Sequence, residues 1–267
     1  MPMMRQFGLS HESAVEQFIA VDEGPDSEVI EAISHAWKSR ESGRDATGFL
    51  VLRTTLLNRI GAAYAARDHR SFKTATDAFL FHSLAKSKVE PPSAAFLSLD
   101  MGLAICTGRH KDAKLIGKLA LIDRTAPEQP YPTALCGHVL AALTDLDWQT
   151  AEGAATVLQT KCAEKTYSKL DCEMFSAWAR AATLIAGRGT EKAISVEFTA
   201  VAALRRKWID RELGRWLQGR NTDLTSSEFF DWSSAALGAA AGGLGYRLDQ
   251  EVHAMAFADW RWTRGKL

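Results

Sequence analysis

This chain of 267 residues is short of most residue types that announce chemistry. Its seven prolines leave long stretches with nothing to interrupt a helix. Its four cysteines, Cys106, Cys136, Cys162 and Cys172, form no CxxC pair, and the closest two are ten residues apart. No histidine stands beside them at zinc-ligand spacing, so the expectation is free thiols in a reducing compartment and no structural metal. The seven histidines make no HExxH or HxH, and no GxSxG offers a serine nucleophile. Net charge is also lacking. Lys plus Arg and Asp plus Glu are 32 each, so no global field draws in nucleic acid or an anionic membrane.

Long apolar runs are missing too. The longest nearly uncharged stretch, "SSAALGAAAGGLG" from Ser233 to Gly245, is too short and too rich in glycine and alanine to span a bilayer. It is no phosphate loop either: no GxGxxG is present and no Lys-Ser/Thr follows. Tight helix packing accounts for it. The opening "MPMMRQFGLSHESAVEQF" has acids at Glu12 and Glu16 and no apolar core, unlike a signal peptide. A cytoplasmic protein without membrane or nucleic-acid partners is expected.

What is present is helical periodicity. Val29, Ile30, Ile33 and Trp37 form one stripe at three- and four-residue steps. Leu204, Trp208, Ile209, Leu213, Trp216 and Leu217 form another. Ser13-x-x-Glu16 and Thr225-x-x-Glu228 read as capping boxes. No convincing run alternates as a strand would. Turn-like segments fall near Asp68, Gly108, Asp147 and Arg188, with gaps of 40, 39 and 41 residues. A small residue follows each: Ala75, Ala113, Ala151 and Ala193.

This pattern predicts an all-α chain of helical hairpins, either an α-solenoid of the TPR or HEAT kind or an irregular helical bundle. The organisation expected is one domain over 1–267. Residues 1–45 and 221–267 form end caps, and 46–220 carry the hairpin repeats.

No catalytic residue, cofactor or metal ligand stands out. His69 and His110 occupy equivalent turns and read as solvated. Two charged features are candidate contacts for a protein partner. One is an acidic lip of Asp22, Glu23, Asp26 and Glu28, in which Asp26 can also cap the following helix. The other is a basic row, Lys207, Arg211 and Arg215, one helical turn apart on the polar side of the Trp208 stripe. Each also reads as an ordinary solvated face. Among the eight tryptophans, Trp37, Trp208 and Trp216 lie on apolar stripes, whereas Trp232, Trp260 and Trp262 are freer to anchor a partner.

From residue 130 to 250 the segments run in a definite order. "PYPTALCGHVLAALTDLDWQTAEGAATVL" leads to "SAWARAATLIAGRGTEKAISVEFTAVAAL", then a basic stretch, then "FFDWSSAALGAAAGGLGYRLD". This half resembles the Imm49-type immunity proteins of bacterial polymorphic toxin systems. The resemblance implies an all-helical protein that neutralises a cognate toxin by binding it. It transfers no functional residue. The alternative is a helical-repeat scaffold or regulator with no toxin partner.

Overall fold

A helix in this chain ends where a residue can turn left-handed, and the next begins where a side chain can cap it. A computed structural model describes residues 46–87, 94–122, 132–164, 167–220 and 230–248. Among these residues every regular element is a helix: α1 (Ala46–Ala65), α2 (His69–Ser87), α3 (Ala94–Cys106), α4 (His110–Ile122), α5 (Pro132–Thr144), α6 (Trp148–Ala163), α7 (Lys169–Ala186), α8 (Glu191–Leu217) and α9 (Trp232–Gly243). The chain is all-α, and the four expected turns join α1 to α2, α3 to α4, α5 to α6, and α7 to α8. The capping boxes near Ser13 and Thr225 lie outside the described residues.

The four turns share one construction. Arg67, Gly108, Leu146 and Arg188 each take a left-handed φ between 56° and 74°. The next residue's N–H reaches back to a carbonyl five residues earlier: Asp68 to Ala63, Arg109 to Ala104, Asp147 to Ala142 and Gly189 to Leu184, at 2.7 to 2.9 Å. This is the Schellman ending, which satisfies the last carbonyls of a helix. In the first three turns that same residue opens the next helix. The carbonyls of Asp68, Arg109 and Asp147 accept from Phe72, Ala113 and Ala151, all at 3.0 Å. The Asp68 and Asp147 carboxylates cap their helices through the N–H groups of Ser71 and Thr150. Arg109 cannot accept, and it pairs instead with Asp112 one turn on, at 2.6 Å. The fourth turn carries one more residue, so Gly189 ends α7 and Thr190 opens α8.

This hydrogen-bond register corrects one detail of the repeat. The equivalent inward positions are Phe72, Ala113, Ala151 and Ile194, all fully buried. Ala113 and Ala151 were expected there. Ala75 and Ala193 are displaced by three residues and by one, because the capping residue sets the register and not the nearest small side chain.

Contacts divide the chain into two compact units, Met1–Val89 with Ile209–Phe230, and Glu90–Trp208 with Asp231–Leu267. In the first, α1 and α2 pack through Leu56, Ile60, Phe72, Phe79 and Leu80. The Arg53 guanidinium, itself buried, lies over the Phe79 ring. Tyr64 meets Phe230 edge-on at 4.6 Å.

In the second unit α5 is the central element. It is buried nearly all round and packs against α3, α4 and α6. Such a helix must be apolar on every face, and "ALCGHVLAAL" is close to that. The small-residue helix α9 lies on α3. Trp232, at 1% exposure, is among the largest fully buried side chains, so it is a core residue and not a free anchor. Asp231 caps α9 ahead of it and turns the tryptophan inward.

Candidate interaction surface at the turn end of α3 to α6

The second unit holds a cavity of about 300 Å³ where its turns meet. Its walls are Ile105 from α3, Leu140 and Leu143 from α5, Ala239 and Ala240 from α9, and Trp148 at the start of α6. Leu146 and His110 stand on the described lining with them. The Thr144 hydroxyl also lines the space, but it donates to the Leu140 carbonyl at 2.7 Å. The side chains of the wall are mostly aliphatic and aromatic, polar groups share the lining, and among the described lining residues there is one titratable side chain and no carboxylate.

Leu146 is the unusual residue. It is 63% exposed and holds φ at +59°, a conformation that costs a non-glycine residue about 1–2 kcal/mol. The Schellman ending requires that conformation, as it does of Arg67 and Arg188 in the equivalent turns, so what sets Leu146 apart is an exposed apolar side chain at a hairpin tip. Trp148, two residues on, is half-buried, and the Arg188 guanidinium stacks on its ring at 4.6 Å. The third and fourth turns are thereby joined. The backbone N–H of Arg247, just after α9, donates to the Glu191 carboxylate at 2.9 Å and ties that end to the same place.

The sequence-derived candidates fall elsewhere. Asp22, Glu23, Asp26 and Glu28 lie outside the described residues, as do Trp37, Trp260 and Trp262. The basic row lies on α8, with Lys207 exposed. Arg211 and Arg215 both turn to the buried Glu212 carboxylate, at 2.7 and 3.5 Å. Two of the three cations thus serve a buried acid, a structural use that the spacing alone did not reveal. Trp208 and Trp216 are half-buried, and the Arg205 guanidinium stacks on Trp208 at 4.2 Å.

His69 and His110 do occupy equivalent places, the first residue of α2 and of α4. His110 is exposed yet contributes to the cavity, a role missed in the sequence. The one visible hint was "TDLDW", a leucine placed between two aspartates at a turn tip.

The thiols are free. Cys106, Cys136 and Cys162 are buried and Cys172 half-buried. Burial pushes the Cys136 thiol well above its ordinary range, and burial first of all raises Cys162 to about 11. Among the described residues no group of three or more His, Cys, Asp or Glu could hold a metal ion. No described helix is long and apolar enough to cross a membrane. No family model, no curated protein and no solved structure matches this chain.

Proposed function

We propose that this chain is an immunity protein, which neutralises a cognate bacterial toxin in the cytoplasm by direct stoichiometric binding and without modifying it. One observation carries the reading: an exposed Leu146 at the mouth of a cavity lined by leucine, isoleucine and alanine side chains, beside a half-buried Trp148. An aromatic wall within a polar rim is the anatomy of an energetic hot spot in protein recognition. Hairpins closed by hydrogen-bonded turns give such a surface a rigid frame, and we take them as units of an α-solenoid-type stack. The resemblance of residues 130–250 to the Imm49-type proteins covers the α5–α9 part of the cavity and supplies the toxin as partner.

A second reading, a helical scaffold for another protein, draws on the first unit. A groove of about 730 Å³ runs along α1 and α2, lined by five alanines, among them Ala62 and Ala75, together with Leu56 and the polar Arg59, Asp68, Arg70, Ser71 and Thr74. Small side chains let another helix approach closely. Co-expression with a toxin, which the immunity reading expects to be encoded beside this gene, separates the two. Survival and a one-to-one complex support immunity. Death of the cells with no complex formed removes it and leaves the scaffold.

A further inference from the structure

We propose that the cavity at the turn end of α3 to α6 receives a large apolar side chain from an acidic segment of the protein partner. This deepens the reading above and rests on its premise that the chain acts by binding a protein.

The size comes first. About 300 Å³ is at the low end for cofactor and ligand pockets, and it suits one leucine, phenylalanine or tryptophan side chain. Leu140, Leu143, Ile105 and the Trp148 ring offer such a group apolar contacts. Leu146 adds an exposed lip that an incoming surface would cover, whereas a small molecule inside the cavity would leave much of it in water.

The charge comes second. The carboxylates around the mouth are all engaged within the chain. Asp112 pairs with Arg109, Asp145 with Lys114, Asp147 caps α6, and Glu191 accepts the Arg247 N–H. The cations Lys111, Arg188, Lys192 and Arg247 on the same segments are exposed. Asp147 and Glu191 keep their charge, so on these segments four exposed cations stand against two carboxylates without a cation partner, and positive charge is in excess near the cavity. These cations come from two turns and the end of α9, a spread wider than the single carboxylate of a small amphipathic acid. The complementary surface is an apolar anchor flanked by aspartate or glutamate, and such charges act mainly on the rate of encounter.

The test is selection of a displayed random peptide library on the full chain at low salt, followed by affinity measurement with the synthesised winners. Enriched peptides should carry Trp, Phe or Leu beside acidic residues. Filling the cavity with Ala240→Phe, or charging its lip with Leu146→Glu, should weaken them roughly tenfold or more. Lys111→Glu with Lys192→Glu should slow association at low salt and much less at high salt. Leu146→Gly separates binding from folding: melting temperature should rise while peptide affinity falls, a combination that structural damage cannot give. The inference is overturned by an absence of enrichment, by basic or anchor-free peptides, or by unchanged affinity in a folded Ala240→Phe chain. If the toxin complex forms and Leu146→Glu leaves its affinity unchanged, this inference fails and immunity stands. If no toxin binds while acidic peptides do, immunity fails and this inference stands.

Discussion

The carbonyl oxygen of Trp232 lies directly over Gly102, so close that a methyl group on residue 102 would come within 2.8 Å of it. This contact seats α9 on α3, and the Cys106 thiol reaches the same carbonyl from one turn further along, at 3.8 Å. The obstructing atom is backbone, which cannot swing aside as a side chain could. Gly102→Ala should therefore destabilise the chain by about 1–3 kcal/mol through overpacking, with a change in tryptophan fluorescence as Trp232 shifts. Gly153, an exposed glycine within α6, meets nothing within 4 Å. There the same substitution should stabilise by about 0.5–1 kcal/mol, since alanine favours helix. Urea unfolding of both variants checks the opposite signs.

Leu146→Gly should raise stability by about 0.5–1 kcal/mol. Relief of a left-handed leucine is worth about 1–2 kcal/mol, and the greater freedom of glycine in the unfolded chain returns part of it. Leu146→Val should lower stability, because a β-branched side chain fits that conformation worse. Thermal melts of the two variants should shift in opposite directions.

Asp231→Ala should cost about 1–2 kcal/mol. The carboxylate accepts from the Ser234 N–H at 3.0 Å and from the Ser234 hydroxyl at 2.6 Å, and Ser234 is fully buried. Its loss uncaps α9 and removes the partner of a buried hydroxyl. Asp231→Asn, which keeps an acceptor for the helix N–H, should recover most of the loss in a denaturant titration.

His82 on α2 gives a dependence on pH. Desolvation holds its pKa below the ordinary 6.5. The unfolded chain then binds a proton more readily than the folded one, so stability falls as pH drops below about 6.5. The loss continues until pH passes the folded value. In His82→Gln this part of the slope should vanish between pH 8 and pH 5. Unfolding midpoints across that range in both chains give the comparison, and an unchanged slope would refute it.

Much of the helical frame was legible before any coordinates. Charged and small residues recur near Asp68, Gly108, Asp147 and Arg188 because a helix must end on a residue that tolerates the left-handed turn and restart on one that can cap. The finer register was not legible. Ala75 and Ala193 mislead because alanine is common everywhere in the chain, while the hydrogen bonds that fix Phe72 and Ile194 depend on which neighbour caps. Trp232 looked free since no apolar stripe surrounds it in sequence. Its partner Gly102 lies 130 positions away, and only the packing of α9 on α3 reveals its burial. The cavity is hidden for the same reason. Ile105, Leu143, Trp148 and Ala240 belong to four helices, and no local pattern unites them. The basic row was legible as cations on one helix, but the bond of Arg211 and Arg215 to the buried Glu212 requires knowing which side of α8 faces inward.

In the first three turns a single residue finishes one helix and starts the next. Asp68, Arg109 and Asp147 are each punctuation shared by two clauses. Inserting one residue there splits the two duties, and deleting one leaves a duty unfilled. The hairpin tips are thus fixed in length, and an epitope tag or a circular permutation placed at residue 68, 109 or 147 should disrupt both flanking helices at once. The turn at Gly189 and Thr190 has already divided the work between two residues. It is the tip where the chain can best be lengthened, and an engineer seeking to graft a loop onto this frame should begin there.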